Sequence, residues 1–179
     1  MYAADGDPWG YKSVWYEQRR FALIAAILDR SVYERAFEPG CSNGTLTAEL
    51  STRCSHVLAS DGSENAVVLA RQSTGHFGNV DVIKGAVPND WPTGTFDLIV
   101  LSDFLYYLNE ADIEEVAEMS TTSLTNTGTI LAGHWKGSAH DFVTGGGLAV
   151  HQILCEVLGP PNGGAYEDPD QIISTWISR

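Results

Sequence analysis

Apolar residues fall on one face at helical spacing over residues 16–29, at Tyr16, Phe21, Leu23, Ile24, Ile27 and Leu28, and so predict an amphipathic helix. A short run at 35–38, apolar in its middle, ends in a turn rich in Gly, Ser and Asn, and a second helical stretch, 45–53, follows at once. The alternation continues with a strand at 56–60 closed by Asp61, a helix at 63–73 and a strand at 80–84. Residues 96–101 (FDLIVL) carry the clearest strand signal. A continuous apolar run of this kind is expected when both faces of a parallel strand are covered. A helix at 111–124, a strand at 129–133, a helix at 148–158 and a closing strand at 171–177 complete the pattern.

Strands that alternate with helices predict an α/β fold, a mostly parallel sheet with helices on both faces. The chain has 179 residues and no repeat or low-complexity linker, so it reads as a single domain over 1–179, long enough for a full core. In such sheets ligands bind beyond the carboxyl ends of the strands, near the point where strand order reverses. The candidate residues all lie at strand ends or beside them.

Composition narrows the partners. Hydrophobic residues make up 44% and charged residues 18%, a globular balance, and the formal net charge is −13. No cluster of Lys or Arg offers a groove for nucleic acid, so a small molecule is the expected partner. Cys41, Cys54 and Cys155 match neither a disulfide nor a zinc spacing. His140, Asp141 and His151 form no strong ligand pattern, and no metal is expected. The first dozen residues lack a basic-then-apolar signal, and the longest apolar stretch, 96–108, contains Asp103 and is too short to span a bilayer. A cytoplasmic protein with no membrane partner is the expectation.

Glu38-Pro39-Gly40-Cys41-Ser42-Asn43-Gly44 joins the first strand to its helix. Glycines there let backbone approach a ligand closely, and the free N–H groups of the next helix can meet an acceptor. The following strand ends at Asp61, beside Gly62, where a carboxylate can accept from two ribose hydroxyls. A dinucleotide fingerprint would need glycine at Ser42 and Thr45, so the pattern is E-x-G-x-S-x-G instead. That spacing points to S-adenosylmethionine (SAM), which has no pyrophosphate to cradle.

These features, with Asp7-Pro8-Trp9, Tyr16-Glu17, Arg20, the segment FDLIVLSDFLYYL and His134-Trp135, make the chain resemble the nodulation protein S-like branch of SAM-dependent methyltransferases from about Asp7 to Leu158. The resemblance implies a Rossmann-like class I methyltransferase of the seven-stranded type, with residues 1–30 as a helical segment over the cofactor site. It also implies SAM as donor, S-adenosylhomocysteine (SAH) as product and, in the namesake proteins, the amine of a de-N-acetylated chitin oligosaccharide as acceptor. On this analogy Glu38, Gly40, Ser42 and Gly44 line the SAM loop, Asp61 and Gly62 meet the ribose, and Ser102 faces the methionine part. Arg20 is either the partner of the SAM carboxylate or an exposed helix arginine. Ser42 stands where a middle glycine is usual. Ala86 stands where the superfamily often has an acid, which leaves adenine to backbone groups and apolar contacts such as Val87. The C-terminus is short for the family, which predicts a more open acceptor site.

Methyl transfer needs alignment and a desolvated nucleophile, and an amine nucleophile must also lose a proton. Asp103 is the candidate to hold a cationic amine or take its proton. Tyr107, with Tyr106, is either an aromatic wall for a cation or ordinary packing. His134 is either a general base or a structural histidine, with Trp135 beside it as pocket wall. Gly145-Gly146-Gly147 either hinges a lid or simply leads into a helix. These residues favour N-methylation of an amino sugar or related amine. The alternatives are O-methylation with His134 as base, and a SAM-binding protein that transfers nothing.

Overall fold

A computed structural model describes residues 14–178. The Asp7-Pro8-Trp9 part of the resemblance lies outside the described residues. Among the described residues seven strands form one sheet: β1 (Tyr33–Pro39), β2 (Cys54–Asp61), β3 (Val80–Lys84), β4 (Phe96–Ser102), β5 (Leu124–Trp135), β6 (Ala165–Glu167) and β7 (Gln171–Ile177). Their order across the sheet is β3-β2-β1-β4-β5-β7-β6. The pairings among β1 to β5 are parallel, whereas β7 runs antiparallel to both β5 and β6. Strand order reverses between β1 and β4, which opens a crevice at their carboxyl ends.

The apolar run in β4 becomes two cores. Leu98, Ile99, Val100 and Leu101 are all fully buried. Because successive side chains on a strand point to opposite faces, Ile99 and Leu101 join Phe37, Ile113, Val116 and Leu154, while Leu98 and Val100 join Ile24, Tyr33, Ala36 and Leu131. Truncating any one of the buried leucines or isoleucines to Ala costs about 2–5 kcal/mol. The first core lies under α4 (Glu110–Ser123) and α5 (Gly147–Leu158), the second under α1 (Trp15–Ile27) and α2 (Thr45–Ser51). A third, smaller core of Cys41, Ala59, Val67, Ala70 and Val82 seats α3 (Glu64–Thr74) on β2 and β3.

Local chemistry sets the ends of these elements. Ser63 caps α3 by accepting from the N–H of Ala66, and Asn109 caps α4 by accepting from the N–H of Asp112 at 3.0 Å. Arg53 donates to the carbonyls of Ala25, Arg30 and Ser31 and so ties the end of α1 to the turn before β2.

Several elements differ from the sequence reading. Strand β5 begins at Leu124, directly after α4, and the pairing register shifts between Phe96 and Leu98. Tyr106 and Tyr107 belong to a single 3-10 turn, Leu105–Tyr107, ahead of α4. Strand β6 was not anticipated; its three residues, partly or fully exposed, leave almost no hydrophobic pattern to read. The two edge strands are short, and Asp81, Lys84 and Glu167 on them are exposed. Among the described residues no helix is long and apolar enough to cross a membrane.

Candidate active site

The glycine turn after β1 is held by backbone geometry. Gly40 has φ +72°, and a Cβ there would lie 2.7 Å from Cγ of Phe104. Ser42 adopts φ 53°, so this serine keeps the left-handed conformation that glycine would take most easily. Its N–H donates to Oδ2 of Asp61 at 2.9 Å, and the N–H of Ser63 donates to Oδ1 at 2.8 Å. Asp61 thereby fastens the turn after β1 to the turn after β2. Each of its oxygens keeps lone-pair capacity for another donor. Burial raises the Asp61 pKa, and the two backbone N–H bonds restrain the rise.

Glu38 lies beneath this turn and is buried, and its Oε2 has no hydrogen-bond partner among the described residues. Burial pushes its pKa up to about 8, against the opposing pull of Thr47 and Arg20. An orphaned, buried carboxyl oxygen fits a site that receives a cationic ligand group, whose charge would favour the ionised form. On the far side of Asp61, a Cβ on Gly62 would lie 3.1 Å from Cβ of Ala86, and the Ala86 N–H donates to Asp90 at 3.0 Å. Val87 is buried beside them. The place where the superfamily often has an acid is thus occupied by Ala86, with the Asp90 carboxylate on its backbone.

Arg20 is not an exposed helix arginine: it is 3% exposed. Its Nη1 donates to Oγ of Ser102 at 2.5 Å and pairs with Oδ2 of Asp103 at 2.7 Å. Its Nε and Nη2 both reach Oε2 of Glu17, at 3.1 and 2.5 Å. Asp103 has φ 52°, and its Oδ1 accepts from the N–H of Trp135 at 2.7 Å. Among the described residues Ser42 and Asp103 are the non-glycine positions at positive φ, and both lie at this crevice. Such backbone costs about 1–3 kcal/mol and concentrates at functional sites.

Two cavities meet at Arg20. One, lined by Glu38, Gly40, Ser42, Asn43 and Ser102 among others, follows the glycine turn. The other, of about 290 Å³, is walled by Tyr16, Tyr106, Tyr107, Trp135 and Phe142, with Glu17 and Asp103 as its acidic groups. Phe142 stacks on Tyr106 with ring centres 3.9 Å apart and meets Tyr107 edge-on at 5.5 Å. The Tyr16 hydroxyl is buried with no partner among the described residues, and burial raises its pKa. Tyr16, Glu17 and Phe142 were given no role by the sequence reading. Tyr16 and Arg20 are four apart on α1, a spacing that places both on one helix face and offered a signal. Phe142, in an irregular loop, offered none.

His134 requires a correction. It is fully buried and does not line the aromatic cavity, because β5 turns its side chain to the opposite face from Trp135. Burial, with smaller contributions from His151 and Arg20, lowers its pKa to about 3. Both ring nitrogens lack partners among the described residues, and the ring lies 6.0 Å from that of His151. A base sealed in the core cannot reach a substrate. In the glycine run, Gly147 is fixed by packing: a Cβ there would lie 2.1 Å from the Trp135 carbonyl oxygen.

A model of the nodulation protein S family matches residues 2–143. Nodulation protein S of Sinorhizobium fredii is 31% identical over 139 residues, which covers 75% of this chain and 62% of its own length. The protein of the same name from Bradyrhizobium diazoefficiens is 30% identical over 105 residues, covering 58% and 50%. The chain therefore spans half to three-fifths of the length of these curated relatives. A candidate methyltransferase from Pseudomonas syringae superposes with a TM-score of 0.81 at 36% identity, covering 92% of this chain and 99% of that one. N-methyltransferase NodS from Bradyrhizobium japonicum, solved with SAH, also gives 0.81, at 21% identity, over 98% and 93% of the two chains. Sheet order and superposition together give this chain the class I methyltransferase fold.

Proposed function

The chain belongs to the nodulation protein S family, and from that premise we propose that it transfers a methyl group from SAM to the nitrogen of a small amine, most simply an amino sugar, in the cytoplasm. The observation that carries this reading is the cavity in which Asp103 and Glu17 stand among aromatic rings, adjoining the glycine cleft through Arg20.

The residues present fit the cofactor. Gly40, Ser42 and Gly44 would hold the chain of SAM against backbone, and Asp61 with Gly62 would hold the ribose. Ala86 and Val87 would face the adenine, and the orphaned Oε2 of Glu38 suits the amino-acid ammonium. When bound, SAM supplies a methyl group already activated by a sulfonium.

The chain then has to orient and desolvate the acceptor, effects that contribute up to about 7–11 kcal/mol in well-aligned reactions. The rings of Tyr107 and Trp135 attract a cationic amine by about 0.5–2 kcal/mol each where their faces are presented. Asp103 would receive the amine proton on Oδ2, which in this structure is paired with Nη1 of Arg20 at 2.7 Å, while Oδ1 accepts from the Trp135 N–H. The O-methylation alternative took His134 as its base, and that imidazole is sealed away from the cavity.

Labelled SAM offered with amino-sugar oligomers, simple amines, phenols and carboxylates tests the reading. Label on amines supports it. Label confined to phenols or carboxylates would sink N-methylation, and bound SAM with no transfer to any acceptor would leave a binding protein.

A further inference from the structure

Arg20 lines both cavities, and its guanidinium is already committed to groups on both sides. On the aromatic side it holds Oδ2 of Asp103 at 2.7 Å and Oε2 of Glu17 at 2.5 Å; at the glycine cleft it holds Oγ of Ser102 at 2.5 Å. Among the described residues, two carboxylates around one guanidinium carry an excess of negative charge in a buried place. A third carboxylate entering through the glycine cleft can bond Arg20 only against that excess, and the favoured exchange is one carboxylate for another.

Asp103 is the carboxylate built to let go. Its Oδ1 stays fixed by the Trp135 N–H at 2.7 Å, and its backbone is set at φ 52°. Loss of Arg20 therefore frees Oδ2 without moving the residue, and leaves a negative oxygen aimed into the aromatic cavity. Glu17 differs, because it is the neighbour of Arg20 on the same helix turn and moves with it.

Resting on the proposed function, we infer that Arg20 is a positioning residue that couples the two cavities: the carboxylate of the cofactor takes Arg20 from Asp103, and the released Asp103 becomes the receptor for the cationic acceptor. Cofactor binding completes the acceptor site: the aromatic cavity is already open, but in the unliganded protein its Asp103 carboxylate is held by Arg20. Because coupling of this kind is reciprocal, acceptor and cofactor must each tighten the other by the same factor.

The test is calorimetric and uses SAH, which carries the carboxylate but lacks the sulfonium charge that Asp103 would attract. The control ligand is 5′-methylthioadenosine, which keeps the nucleoside and lacks the amino-acid portion. Asp103→Asn is the informative variant, since Asn tolerates positive φ and can still accept from Trp135. If Asp103 competes for Arg20, this variant binds SAH at least about fivefold more tightly, with methylthioadenosine affinity unchanged. A residue that held the cofactor's ammonium would give the opposite sign. Equal or weaker SAH binding by the folded variant, relative to methylthioadenosine, overturns the inference. A second measurement needs no variant: glucosamine binds the wild-type protein more tightly with SAH present than with methylthioadenosine present. Equal glucosamine affinity in the two cases overturns the coupling. Failure of the wild-type protein to bind SAH or methylthioadenosine at all would overturn the SAM reading and this inference with it, whereas SAH binding with the wrong sign in Asp103→Asn removes only the inference.

Discussion

The glycine cleft and the aromatic cavity share Arg20, yet they are made of different materials. The cleft is largely backbone: Gly40 and Ser42 at positive φ, the Asp61 carboxylate bridging two turns, N–H groups in fixed positions, and the buried Glu38 beneath them. The cavity is side chains gathered from α1, the 3-10 turn, the end of β5 and the loop before α5. Backbone geometry tolerates few substitutions because one Cβ can collide with a fixed neighbour. A wall of rings changes its shape by exchanging one ring, with the chain path unaltered. A site made of backbone therefore suits the ligand that stays constant, and a site made of side chains suits the one that varies.

The sharpest way to break this contrast is Gly40→Ala. The added Cβ meets the Phe104 ring at 2.7–2.9 Å and forces an L-residue to φ +72°. Overpacking and left-handed strain together are expected to cost about 2–5 kcal/mol, read from denaturant midpoints, with loss of SAH binding. A mild change would mean that the turn is more pliable than its contacts imply.

His134 marks where the cavity ends and the core begins. Its pKa falls from 6.5 to about 3 on folding, so between these values the unfolded chain binds more protons than the folded one. Stability from this group is complete above about pH 6.5 and declines as pH falls toward 3, by up to about 1.4 kcal/mol per pH unit. In His134→Leu that part of the acid slope should vanish, whatever the offset in absolute stability. An unchanged slope would show that His134 already meets water or a proton donor.

Phe142→Ala removes the ring stacked on Tyr106. The acceptor KM is expected to rise about two- to tenfold while SAH affinity stays constant. A parallel loss of SAH affinity would abolish the separation between the two regions. The gentlest probe is Ser42→Gly, which relieves φ 53° but adds chain entropy to the unfolded state. A net gain of up to about 1 kcal/mol is expected, in thermal melts, with the N–H bond to Asp61 kept.

The same contrast explains what the sequence made legible. A turn that needs glycine leaves glycine in the text, and a strand that must be buried on both faces leaves an apolar run such as Leu98 to Leu101. Asp61 is readable because a strand end has a fixed place in the fold. Phe142 was not readable, since nothing local distinguishes a ring that joins a wall from one that packs in a loop. His134 was misread for a related reason. It stands at the correct strand end, but the alternation of β5 assigns the cavity to Trp135 and the core to its neighbour. Arg20 was recognised as a candidate, but its bond to Asp103 joins residues 83 positions apart, and no spacing rule connects them.

The outermost strands give the sheet its limit. An unpaired strand edge is a template on which another chain can add, and the hazard grows with the length and flatness of that edge. Here β3 offers five residues with Asp81 and Lys84 exposed, and β6 offers three, with Glu167 paired to Lys136. A neighbouring molecule docking by strand addition would gain only a few backbone hydrogen bonds at either side and would bury charge to form them. On a chain of net charge −13 that approach is opposed from a distance as well. The consequence is resistance to fibrillar self-assembly at high concentration, built into the lengths of two strands that take no part in the chemistry.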